Sequence, residues 1–260
     1  MSDSSPQTSG DAMSKVDIIG LAAEIVLENG GETYRVEETA QRMAMGLGLE
    51  QLSIAAFPTS IFIEVQERAR VKRISRRSTN LSRLTQVNDV SRRVERGEMS
   101  AEEAACALRD ITQMPGPSLR TEVLAWGLAA GSFSLLFGGG AGTFAAACLI
   151  GMLVQLVQPL FSRMEMGVLF GNFFGGLLTA MLAEAVGVLV PYGDVNAAII
   201  GGIMPLLSGL LMTNAVRDTM YGDLISGPTR ALEALLLATF TALGVYTGLA
   251  LLTMMGGMQL

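Results

Sequence analysis

The sequence predicts an α-helical integral membrane protein, a five-span bundle preceded by a small α/β cytoplasmic domain. Three observations predict it. Residues 1–120 carry 15 Lys/Arg and 17 Asp/Glu, whereas residues 121–260 carry only 3 and 7. A stretch that poor in charge would be insoluble as a globular surface, but it suits helices in hydrocarbon, which hydrates neither charge nor exposed backbone. Five segments of it, approximately 121–138, 142–161, 166–190, 195–213 and 231–256, are long enough to cross ~30 Å of hydrocarbon at ~1.5 Å per residue. Finally, the charge-rich half alternates between helical and strand periodicity.

The predicted organisation is a disordered tail over 1–13, a cytoplasmic domain over 14–114, a linker over 115–119 and a transmembrane domain over 120–260. The tail is polar and holds no apolar core that could serve as a cleaved signal. Val16, Ile19, Ala22, Ala23, Val26 and Leu27 recur at helical spacing and stop at Gly30-Gly31. A second helix over about 32–46 carries Tyr34, Ala40, Met43 and Leu47 on one side. Three β-rich runs follow, Leu52–Phe57, Ile61–Gln66 and Arg70–Ser75, with Pro58-Thr59-Ser60 as the first turn. Leu81, Leu84, Val87, Ser91 and Val94 mark a third helix closing at Gly97. Ser100 and Glu103 form a capping box that opens a fourth helix, and Pro115-Gly116-Pro117 begins the linker.

Composition excludes several functions. With no histidine in the chain, Ser-His-Asp and Cys-His nucleophiles, His-ligated zinc and His proton relays are absent. Cys106 and Cys148 lie on opposite sides of the composition break, so no disulfide is expected. No metal or other cofactor is expected. Residues 68–96 hold ten Lys/Arg against two acids, but no aromatics interleave them. That favours a solvated basic face offset by the acidic first helices over contact with anionic lipid headgroups or nucleic acid.

The positive charges of the apolar half set its orientation. Arg120, Arg163, Arg217 and Arg230 all fall on one side once the N-terminus is placed inside, and the loops around Gly138–Gly142 and Pro191–Asp194 hold no Lys or Arg. The positive-inside rule then predicts a multi-pass protein of the bacterial inner membrane, with its N-terminal domain cytoplasmic and its C-terminus external. Small residues every fourth position, at Gly127 and Gly131, at Gly167, Gly171 and Gly175, and at Gly244 and Gly248, predict close helix crossings. Pro205 and Gly201-Gly202 are positioned to bend or break the fourth span.

One dense polar stretch, residues 213–230, interrupts the apolar half. If the fourth helix continues, Asn214, Arg217, Asp218 and Tyr221 share one face. An arginine flanked by an amide and a carboxylate can grip a substrate carboxylate with two parallel bonds, leaving acids such as Asp223 for an amine or a proton. The alternative is a cytoplasmic loop whose arginines anchor topology. Glu184, about six residues (~9 Å) from the outer end of the third span, joins Asp218 and Asp223 as a proton-coupling candidate, because an ionised carboxylate in a span is costly.

The stretches N-G-G-E-T-Y-R-V-E-E-T at 29–39, P-T-S-I-F-I at 58–63, N-L-S-R-L at 80–84 with N-D-V-S-R-R at 88–93, and P-L-L-S-G-L-L-M-T-N-A-V-R-D-T-M-Y-G-D-L-I-S-G-P-T-R-A-L-E-A at 205–234 carry a resemblance. The chain resembles the threonine/serine exporter family (the ThrE/YjjP type) over about residues 16–255. The resemblance implies a cytoplasmic domain followed by five spans, and export of threonine and serine or of a dicarboxylate such as succinate. It implies similarity to the first half of fuller members, and because five spans with a single polar motif form only one wall of a pathway, a companion membrane subunit of about four spans, or failing that a homo-oligomer, is expected to complete the transporter. No residue role is carried over from it.

Rival readings are a membrane-anchored enzyme or sensor with a regulatory or hydrolase-like cytoplasmic domain. Tyr192-Gly193-Asp194 and Tyr221-Gly222-Asp223 superficially resemble the aspartate pair of intramembrane proteases, but the predicted topology puts Asp194 and Asp223 on opposite sides. Ser53, Thr59, Ser60 and Ser75 have no histidine to activate them. The sequence therefore favours a transporter over an enzyme.

Overall fold

The computed structural model describes residues 13–49, 51–65, 68–75, 78–163, 167–189 and 193–254. Expectations for the tail 1–12, for Arg76-Arg77, for Pro191-Tyr192 and for the chain end beyond 254 lie outside the described residues. The chain divides into two compact units, Met1–Gly116 with Thr213–Arg230, and Pro117–Met212 with Ala231–Leu260. The polar stretch 213–230, read from sequence with the apolar half, thus belongs to the unit built on the charged half.

The first unit contains α1 (Lys15–Glu28), α2 (Thr33–Gly46), β1 (Leu52–Phe57), β2 (Ser60–Val65), β3 (Arg68–Arg73), α3 (Leu81–Glu95) and α4 (Ala101–Gln113). Capping boxes open α1 at Ser14/Asp17 and α4 at Ser100/Glu103. Ile18, Ile19, Ala22, Ala23, Val26 and Leu27 are all at most 4% exposed, so α1 is the central rod of the core. Val36, Ala40 and Met43 of α2, Val87, Val90 and Val94 of α3, and Ala104, Leu108 and Ile111 of α4 pack around it. Leu81, expected on the buried stripe, is exposed, because that stripe begins only one and a half turns into α3.

The sheet is antiparallel in the order β1-β2-β3. Ile61, Ile63 and Val65 alternate into the core while Phe62 and Glu64 face outward. Pairing of Val65 with Arg68 and of Ser60 with Arg73 starts β3 two residues earlier than the sequence suggested. β3 is an edge strand of exposed cations, a composition that discourages further strand addition. The acids of α1 offset it, Asp17 pairing with Arg70 and Glu24 with Lys72 at 3.0 Å.

The second unit contains α5 (Leu119–Leu136), α6 (Ala141–Arg163), α7 (Gly167–Leu189), α8 (Val195–Ile203) and a 3₁₀ turn at Met204–Leu206. α9 (Gly209–Met220) starts in it, and α10 (Ser226–Met254) runs on through it from Ala231. Among the described residues, three helices are long and apolar enough to cross a membrane, within α6, α7 and α10. A fourth results if Val195–Leu206 and Gly209–Met220, which meet at a bend of 55°, count as one broken span. The expected fifth, α5, falls short, because its 18 residues include Arg120 and Glu122 in the first turn.

Glycines bring backbones into contact here. A Cβ on Gly127 would lie 2.8 Å from the Cys148 carbonyl oxygen, and one on Gly248 2.9 Å from that of Leu177, so α5 meets α6 and α7 meets α10 at close range. The 167–171–175 stripe does not act as one seam. Gly175 abuts Leu206, but nothing approaches Gly167 within 4 Å. The helix break at Pro205 leaves the Leu206 carbonyl outside any helix ladder, and buried Asn172 of α7 answers it, donating through Nδ2 at 3.0 Å. The same amide donates to Thr241 Oγ1 of α10 at 3.2 Å.

Candidate functional site

Two tight helix ends of the first unit build the site. α1 ends in a Schellman turn: Gly30 takes φ 88°, its N–H donates to Leu27 O, and Gly31 N–H donates to Val26 O. α9 ends the same way, with Gly222 at φ 88°, its N–H on Thr219 O and Asp223 N–H on Asp218 O. Each turn needs a residue without a side chain at the left-handed position. Tyr221 therefore lies past the last helical residue, in the turn, rather than on the α9 stripe the sequence suggested.

The end of α9 and the turn after it dock on the Asn29–Tyr34 turn. Asn214 Nδ2 donates to the Gly30 carbonyl at 2.8 Å, and Arg230 Nη2 donates to that of Gly31 at 2.9 Å. Asp218 Oδ1 accepts from the Thr33 N–H at 3.1 Å, which sets a carboxylate at the N-terminus of α2, where the helix dipole favours it. Its Oδ2 lies 3.3 Å from Arg230 Nε, and both side chains are almost completely buried. Arg217 Nη1 donates to Glu32 Oε1 at 2.6 Å. The Arg217 side chain is 50% exposed, and Arg35 Nε approaches the other Glu32 oxygen at 3.5 Å. Tyr34 and Tyr221 stack with centroids 4.1 Å apart. A Cβ on Gly227 would overlap Thr219 Oγ1, so the first turn of α10 is also held against α9.

Asp223 Oδ2 accepts from Thr33 Oγ1 at 2.9 Å, and its Oδ1 caps the start of α10 through Ser226 N–H at 2.8 Å and Ile225 N–H at 3.2 Å. Burial pushes the Asp223 carboxyl up, but the hydrogen bonds from Ser226, Thr33 and Ile225 outweigh it and hold it below its ordinary value. Glu37, one turn along α2, shifts the other way. Burial raises it against the hydrogen bond from Ala56 N–H, and the nearby charges of Asp223 and Asp218 add to the rise.

Five sequence-nominated residues, Asn214, Arg217, Asp218, Tyr221 and Asp223, thus come together in one cluster, but with partners the sequence did not suggest. Asn214 and Asp218 reach past Arg217 to another element. They bind the α1–α2 turn, and Asp218 takes Arg230 as its cation. Arg230, read as a topology anchor, is buried inside the cluster. Glu184 lies in the second unit, half-buried on α7. Sequence reading missed Glu32, Thr33, Tyr34 and the carbonyls of Gly30 and Gly31. The signal was present, since 29–39 and 205–234 are two of the stretches that carry the family resemblance, and they are the two sides of this contact.

A family model described as "Putative threonine/serine exporter" matches residues 17–252, covering both sides of the contact. The chain belongs to the threonine/serine exporter family. It is 26% identical over 243 residues to a "Probable threonine/serine exporter" of Mycobacterium tuberculosis, covering 90% of this chain and 45% of that protein. It is 24% identical over 249 residues to the "Threonine/serine exporter" of Corynebacterium glutamicum, covering 90% of this chain and 51% of that one. An uncharacterized protein of Schizosaccharomyces pombe shares 27% over 187 residues, 66% of this chain and 22% of its own length. The chain therefore spans about half the length of the two exporter relatives. No solved structure matches the chain at a significant level.

Proposed function

We propose that the chain is the first-half component of an exporter of small carboxylate-bearing metabolites, threonine and serine or a dicarboxylate such as succinate. Residues 14–114 form its cytoplasmic domain, 115–119 the linker and 120–260 a five-span domain. α5 serves as the first span, supported by its close packing on α6. The N-terminus lies inside the bacterial inner membrane and the C-terminus outside. A second membrane subunit of about four spans, or a second copy of the chain, supplies the other wall of the pathway, as secondary transporters usually place their site between two repeats or bundles.

One observation carries the site assignment: the Arg217 guanidinium already holds a carboxylate, that of Glu32. In this reading Glu32 stands where a substrate carboxylate binds, and exchange of one for the other opens the contact. Asn214, Asp218, Tyr221 and Asp223 orient the two turns, and Asp218, Asp223 and Glu184 are the available proton carriers. Transport assays on Arg217→Lys, Arg217→Gln and Glu32→Gln test it. A lysine keeps the charge but lacks the planar two-bond fork. Both Arg217 variants should lose about ten- to hundredfold in transport at normal membrane insertion, as expected for one charge-assisted pair. Glu32→Gln, which removes the competitor, should lower the substrate concentration needed for half-maximal transport. Unchanged transport in Arg217→Lys would falsify the assignment and leave Arg217 as a topology anchor.

A further inference from the structure

A second site is built into the other unit, on residues that the reading above leaves unused. A cleft of about 420 Å³ opens between α5, α6 and α7, lined by Trp126, Gln155, Gln158, Pro159, Phe161 and Asn172 among others. Its polar groups are three amides, two of them, Gln155 and Asn172, largely buried. Polar side chains in spans are costly, which makes a buried amide cluster at such a place a functional candidate by default. Their existing bonds leave specific atoms for a ligand. Asn172 commits both amide hydrogens, to Leu206 O and Thr241 Oγ1, so its carbonyl oxygen is left as an acceptor. Gln155 Nε2 donates to Glu122 Oε2 at 3.5 Å, which sets one carboxylate a hydrogen bond away from the lining and leaves the Gln155 Oε1 as an acceptor.

Pro159 adds a backbone group. Lying inside α6, it has no N–H to donate four residues back, so the main-chain carbonyl of Gln155 loses its helical partner. A span interrupted beside a polar cleft is how membrane proteins expose main-chain acceptors to a solute. Among the described residues, none that lines the cleft is cationic.

We propose that this cleft binds a small solute of zero net charge, one that offers several donors together with an ammonium or hydroxyl group, and that it disfavours a dianion. The acceptors of Asn172 and Gln155 take the donors, Gln158 offers an amide to a carboxylate or hydroxyl oxygen, and the ring of Trp126 covers the apolar part. The proposal rests on the export reading for its choice of solute, but it assigns a different site. A dicarboxylate would enter with two negative charges and find no cation among the described lining residues, at a cost the amides do not offset.

Trp126 is the chain's single tryptophan, so its fluorescence reports on the cleft directly. The full chain, purified in detergent, would be titrated with L-serine and, separately, with succinate. The expected result is a saturable change in Trp126 emission with L-serine and none with succinate. Gln158→Met should weaken the L-serine response by about fivefold, the value of one hydrogen bond, without altering the unliganded spectrum. A linear, non-saturating signal, equal affinity in Gln158→Met, or equal binding of succinate would each overturn the proposal. Transport in cells without a Trp126 response would sink the cleft and leave the exporter standing. A Trp126 response without transport would do the reverse.

Discussion

The two units handle buried polar groups by different rules. In the first, the buried groups of the docking cluster include full charges, those of Asp218, Arg230 and Glu32, and each of these three has a hydrogen-bonded or ionic partner. In the second, the buried polar residues among those described are neutral, namely Ser134, Thr143, Gln155, Asn172, Thr179 and Thr241. Several of these spend themselves on nearby carbonyls, as Thr179 does on Gly175 O and Ser134 on Gly131 O. The difference teaches where water can help. A unit folded around charged turns can offset a buried ion pair with two helix dipoles and a shared turn. A helix in hydrocarbon has only its own backbone and the next helix to offer.

The largest test of this contrast is Arg230→Ala, which strands the Asp218 carboxylate without a cation. It should destabilise the first unit by about 3–5 kcal/mol, measured by denaturant unfolding of the full chain in detergent. Adding Asp218→Leu should recover much of that loss. A single-variant cost under ~1 kcal/mol would mean the pair is not desolvated. Next comes Asn172→Leu in the second unit. It orphans the Leu206 carbonyl and should cost about 1–3 kcal/mol in thermal unfolding, with no dependence on pH between 5 and 8. Arg217→Gln sits lower still. Because the arginine is half exposed, the loss should stay under ~1 kcal/mol even though transport falls, and a large stability loss would make the residue structural instead.

The smallest effects are in pH dependence, and they have opposite signs within one cluster. Glu37 is raised in the folded state, so it contributes stability that is present below its unfolded value and lost as pH rises through the folded one. Glu37→Gln keeps an acceptor for Ala56 N–H and should stabilise the chain at neutral pH but not near pH 4. Asp223 is lowered, so its contribution is present above the unfolded value and lost as pH falls through the folded one. Asp223→Asn should therefore cost stability at neutral pH and little in acid. The same sign in both variants would show that the two carboxylates do not share the environment described.

Local signals were legible wherever the physics is local. The capping box at Ser100, the Gly30 stop and the β-rich run that holds Ile61, Ile63 and Val65 are each written within a few consecutive residues. The start of β3 was not, because pairing with β2, rather than composition, sets which of the basic residues enter the strand. The site was half legible. Polar density singled out 213–230, but helical spacing could not say that Asp218 would reach Thr33, some 185 residues earlier. Nor could it say that Glu32 would fill the fork of Arg217. α5 marks the limit of hydropathy, since two charges in its first turn outweigh the small-residue face that packs it on α6.

The Asn172 amide also has a schedule. Chains emerge from the ribosome N-terminus first, so α7 exists before the Pro205 break does. When the Leu206 carbonyl arrives, the donor it needs is already waiting 34 residues upstream. The second hydrogen of the same amide waits longer, until Thr241 follows, 69 residues after Asn172. One side chain thus ties both an awkward turn and the last helix to α7.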